Sequence, residues 1–100
     1  MEESMPLTRS NELILTTMMG VKFLMHDGKA EVACRAAREM LRYRFGSSGR
    51  DGDGETFRIH REAIEKAASD KYDAGMVERQ TDATVVVREV DMASSLSRKM

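Results

Sequence analysis

One hundred residues, 41% hydrophobic and 33% charged, make a single small globular domain with a limited core. The net charge of −1 lacks the positive excess of a protein that grips phosphate backbones without specificity. The one cysteine, Cys34, excludes an intramolecular disulfide, and no apolar run approaches the ~20 residues of a membrane span.

The N-terminus, Met1-Glu2-Glu3-Ser4, is acidic and has no apolar h-region, so no signal peptide and a cytoplasmic location are expected. Residues 1–12 hold the only proline, Pro6, and are expected to form a flexible lead-in to a single domain over 13–92. Leu13-Ile14-Leu15-Thr16-Thr17 is short and apolar and reads as an edge strand.

Next comes the strongest local signal. Val21, Phe23 and Met25 alternate along one strand, and Val32 and Cys34 along the next, so Val21, Phe23, Val32 and Cys34 are expected in the core. Between the strands, Asp27-Gly28 is the pair favoured in a two-residue type I′ turn, which needs positive φ at both central positions.

A first helix is expected from Arg35 to Phe45, with Ala37, Met40, Leu41 and Phe45 at helical spacing. Gly46-Ser47-Ser48-Gly49 should end it and open a loop that runs through Asp51-Gly52-Asp53-Gly54. A second helix from about Glu55 to Ala74, capped by Asp53 or Gly54, would bury Phe57, Arg61, Ile64, Ala68 and Tyr72, with Arg61 using its aliphatic stem. Gly75 stops it, and Thr84-Val85-Val86-Val87 forms a last strand whose β-branched run suits a position more enclosed than an edge. Residues 93–100 are expected to be a disordered tail. The order is (β)ββααβ: an α+β fold with an antiparallel sheet of three or four strands and two helices on one face.

The residues Val21-Lys22-Phe23, Asp27-Gly28, Val32, Cys34, Leu41, Phe45-Gly46, Phe57, His60-Arg61, Ile64, Ala67-Ala68, Thr84 to Val87 and Asp91 occur in an order and spacing that resembles a small bacterial family, domain of unknown function 1488. The resemblance covers about 70 residues, from 20 to 92. It implies an α+β fold and a serine near the start of the first helix, where this chain has Ala36-Ala37. It implies no reaction and no catalytic residues.

Charge is unevenly spread: residues 35–50 carry +4 and residues 51–91 carry −5. Arg35, Arg38 and Arg42, at i, i+3, i+7 with Arg44 nearby, form a candidate anion-binding or partner-binding face, because guanidinium groups present paired donors to phosphate or carboxylate. Because the net charge is negative and no aromatic stacking platform accompanies the arginines, a solvated face turned toward the acidic second helix explains the same pattern.

Asp51, Asp53, Glu55 and Glu62 approach calcium-loop spacing, but Thr56 stands where the loop needs glycine, and a capping loop is the better account. Cys34 and His60 could form a thiol–imidazole pair, yet a cysteine at an inward strand position is ordinarily a small buried hydrophobe. The four glycines after the first helix lack the lysine of a phosphate loop, and no cofactor is expected.

Three functional readings follow, in order. The first is a non-enzymatic accessory or protein-interaction module, its partner another protein or a second copy in a homodimer, since association lets a small domain bury more apolar surface. The second is a nucleic-acid-associated protein using the arginine-rich first helix. The third is a small enzyme using Cys34 or His60.

Overall fold

A computed structural model describes residues 7–47, 50–78 and 83–92. The expected tail, 93–100, and the first six residues of the lead-in lie outside these residues. Strands β1 (Thr8–Thr17), β2 (Gly20–His26) and β3 (Glu31–Ala37) are followed by helices α1 (Arg38–Phe45), α2 (Arg50–Ile59) and α3 (Arg61–Asp73) and by strand β4 (Val85–Val87). The four strands form one sheet in the order β1-β2-β3-β4.

β1 begins within the expected lead-in. Leu7 is buried, and its amide donates to Ser69 Oγ at 3.0 Å, which fixes the chain to α3 before the strand starts. β1 is an edge strand, as its composition implies. Its register with β2 slips between Arg9 and Ile14 and is regular from Ile14 to Thr17.

β2 and β3 pair antiparallel from Gly20↔Ala37 to His26↔Glu31. Strict alternation puts Val21, Phe23, Met25, Val32 and Cys34 in the core, as expected. The turn between them is not the two-residue type I′ turn. It spans Asp27 to Ala30, and of its residues only Gly28 has positive φ. Asp27 Oδ1 accepts the amides of Lys29 (2.8 Å) and Ala30 (2.9 Å), so a side chain closes the loop where backbone conformation was expected to.

Opposite this turn, Gly20 at φ +136° lies where a Cβ would meet the Ala36 carbonyl oxygen at 2.0 Å. That close approach carries the ladder on to Ala37. β3 therefore runs three residues past Cys34, and α1 starts at Arg38, not Arg35. Ala37 is its N-cap and makes no side-chain capping bond.

The long second helix is two. Residues 50–54, expected as loop, are the first turns of α2. Two internal glycines disfavour helix by about 1 kcal/mol each. Packing outweighs that cost: a Cβ on Gly54 would stand 2.9 Å from Thr16 Oγ1, so a bare glycine lets α2 lie directly on β1. The helix breaks at His60 (φ −108°, ψ 22°) and resumes as α3. The expected stripe survives the break, with Phe57, Arg61, Ile64 and Ala68 buried and Tyr72 partly so.

β4 pairs with β3 in parallel, from Cys34↔Val85 to Ala36↔Val87, so the sheet is mixed and not antiparallel throughout. Parallel pairing requires a long crossover, and the helical segment from Arg38 to Asp73 supplies it. β4 is last in the sheet order, yet all three valines are fully buried. Phe23 and Phe57, 4.8 Å apart between ring centroids, join sheet to helices at the centre of the core.

Candidate interaction surface

The four arginines do not share a helical face. Arg35 is a residue of β3, nearly buried on the side of the sheet away from Cys34, and its guanidinium donates to the Met19 carbonyl at 2.9 Å. Arg38 opens α1, and its backbone amide donates to the same carbonyl at 3.1 Å. Arg42, midway along α1, reaches to 3.8 Å from the buried Asp53 carboxylate of α2. Arg44 holds Glu89 with two bonds of 3.3 and 3.1 Å. Arg35 and Arg38 thus brace the β1–β2 turn, Arg42 joins α1 to α2, and Arg44 joins α1 to the chain after β4. Much of their charge meets carboxylates and carbonyls of the protein itself.

Asp53 is placed differently from a calcium ligand. It lies inside α2, fully buried, where Ser47 Oγ donates to it and Arg42 stands beside it. The side chain of Asp51 lies outside the described part. No group of three or more metal-binding side chains occurs among the described residues.

Cys34 and His60 also have separate occupations. The Cys34 thiol is buried beside the Val32 carbonyl at 3.6 Å, and burial, aided by the negative Glu65, pushes its pKa up to about 12. A thiol so far from ionisation is a poor nucleophile. His60 stacks on Phe45, with ring centroids 3.8 Å apart and planes 8° from parallel. His26 serves its own turn, its Nδ1 accepting the Gly28 amide at 3.0 Å.

An open cleft of about 740 Å³ lies at the α2–α3 break, lined by Arg9, Arg58, Ile59, His60, Arg61, Glu62 and Ala63. Two of its arginines are tied from within: Arg9 and Arg61 both donate to Glu65 Oε2 at 2.8 Å, and share its one negative charge.

The surface that stands out is apolar. Leu13 (78%), Leu15 (60%), Met18 (64%) and Met19 (58%) are exposed along β1 and its turn into β2. The strand places them there: Ile14 pairs with core Phe23 and is partly buried, so Leu13 and Leu15 point to the other side of the sheet. Sequence reading recognised the edge strand but not this surface. The available signal was leucine at both positions flanking the one inward isoleucine.

A family model described as Protein of unknown function (DUF1488) matches residues 10–85. The chain belongs to the DUF1488 family. No curated protein and no solved structure matches it. The DUF1488 match includes the whole apolar stretch from Leu13 to Met19, all four arginines and the helix break at His60. Among the described residues, no helix is long and apolar enough to cross a membrane.

Proposed function

We propose that this DUF1488 protein is a non-enzymatic accessory module that works by docking another polypeptide on its apolar edge. The observation that carries this reading is the exposure of Leu13, Leu15, Met18 and Met19 on one strand and its turn. Four such side chains present on the order of 500 Å² of apolar surface, toward the upper end of what monomers leave open and of the size that marks interaction sites.

The chemistry elsewhere supports the same reading. The one thiol is sequestered in the core, both histidines have structural neighbours, and three of the four candidate arginines are engaged by the protein's own acceptors. The nucleic-acid reading needs those arginines on a common open surface, and their dispersal over β3 and α1 weighs against it.

The test is affinity capture from native cell lysate with and without nuclease treatment, with the wild type and a Leu13→Glu/Leu15→Glu variant as baits. The expected result is a polypeptide, either another protein or untagged copies of this chain, retained by the wild type and lost by the variant. Retention that vanishes with nuclease, or that is equal for both baits, overturns the proposal.

A further inference from the structure

The occupant of the apolar edge can be named from its chemistry, on the reading that this edge is a docking surface. We infer that a second copy of this chain pairs with it, strand β1 against strand β1, antiparallel about a twofold axis at Leu15.

The edge is available at one end of the sheet only. β4, at the other end, is three residues long, and the Val86 carbonyl is taken by Lys71 Nζ at 2.7 Å. β1 is ten residues long and, among the described residues, pairs only with β2. An exposed, apolar edge of this length is a template for another strand.

From Leu13 to Met19 the chain is uncharged. Along the edge itself an acidic or basic partner has nothing to pair with; the neighbouring cation, Lys22, lies one strand in, opposite Leu15. What fits is a second uncharged strand edge with its own apolar side chains, and this chain carries one. A twofold axis at Leu15 sets Leu15 against Leu15, Leu13 against Thr17 and Ile14 against Thr16 of the second copy. Alternation keeps the leucines of both copies on one side of the joined sheet. No like charges face each other in this register, and a net charge of −1 per chain adds little long-range repulsion.

Pairing at the edge joins the backbones by a new hydrogen-bonded ladder and sets Leu15 beside Leu15 and Leu13 beside Thr17, so that these side chains shield one another in part. The same operation joins two four-stranded sheets into one of eight, with β1 now interior and the short, buried β4 at both ends.

Charge exchange at the axis tests this directly. Sedimentation equilibrium of the wild type between about 1 and 100 μM, a span that brackets a micromolar dimer, should show the average mass rising from 11.3 kDa toward twice that value. Leu15→Lys and Leu15→Glu, at a position already exposed, should each keep the wild-type circular dichroism and remain at the mass of one chain. Mixed one to one, they should restore the double mass, because the axis then sets lysine against glutamate. A wild type that stays at one chain's mass throughout, or a mixture of folded variants that does not associate, overturns the β1 pairing. If lysate capture meanwhile yields a different protein dependent on Leu13 and Leu15, the docking function stands and only the second copy is wrong; if it yields nothing, both fail.

Discussion

Cys34 and Asp27 are both read from the same hairpin, and their surroundings drive them in opposite directions. Cys34 is desolvated under the helices, and its pKa near 12 leaves almost no thiolate at neutral pH. A thiol reagent in native buffer should therefore modify it only as the domain opens, and urea should restore prompt, stoichiometric reaction. Fast labelling of the folded protein, followed by absorbance, would return Cys34 to the list of candidate nucleophiles. Asp27 is held low, at about 2 against an ordinary 3.8, because Ala30, then Lys29 and the Tyr72 hydroxyl donate to its carboxylate. A folded value below the unfolded one means that the stabilisation is complete above 3.8 and is lost as the pH falls through about 2. Wild type and Asp27→Asn should differ in urea midpoint at about pH 6 and converge toward pH 2. A difference that does not change with pH would show that the carboxylate's charge plays no part in closing the turn.

At the scale of elements, two close contacts decide where strands begin and end. Gly20 lets β3 run on to Ala37, so Gly20→Ala, facing a carbonyl oxygen at 2.0 Å, should cost more than about 2 kcal/mol in urea unfolding. A smaller loss would mean that β3 can yield at Ala36. β4 is held from the other side. Lys71 Nζ bonds the Val86 carbonyl at 2.7 Å and Asp91 Oδ2 at 2.8 Å, and Asp91 also accepts the Arg88 amide at 2.8 Å. Lys71→Met leaves both acceptors short of a donor in a nearly closed site, with an expected cost of about 2–4 kcal/mol. Hydrogen exchange should quicken at Val85 to Val87 and stay unchanged at the centre of β2. These elements were unequally legible. Val21, Phe23, Val32 and Cys34 could be read because alternation is local. The start of α2 could not, because Gly52 and Gly54 look like loop until Thr16 lies beside them.

For the whole molecule, the uneven charge of the sequence resolves largely into internal ties. Arg42 meets Asp53, Arg44 meets Glu89, and Arg9 and Arg61 share Glu65. Positive charge spent in this way is not free to displace counterions from a phosphate backbone. Fluorescence titration with mixed oligonucleotides at low salt should accordingly show no salt-sensitive binding up to tens of micromolar. Saturable binding that weakens with added salt would favour the arginines over the apolar edge. Among the apolar side chains turned outward are Leu13 and Leu15 of β1, on the side of the sheet away from Phe57, and Met18 and Met19 of its turn.

The sequence by itself determined the hairpin core, the buried stripe from Phe57 to Tyr72 and the family, because each rests on spacing between near neighbours. Only the tertiary structure decided that β4 runs parallel, that the second helix breaks at His60 and that the arginines scatter. Each of those depends on groups far apart in the chain: the pairing of Val85 to Val87 with Cys34 to Ala36, the stacking of His60 on Phe45, and the extension of β3 that takes Arg35 out of the helix. The exposed edge belongs to both: alternation sets Leu13 and Leu15 on one side of β1, and the packing of all three helices elsewhere leaves that side uncovered.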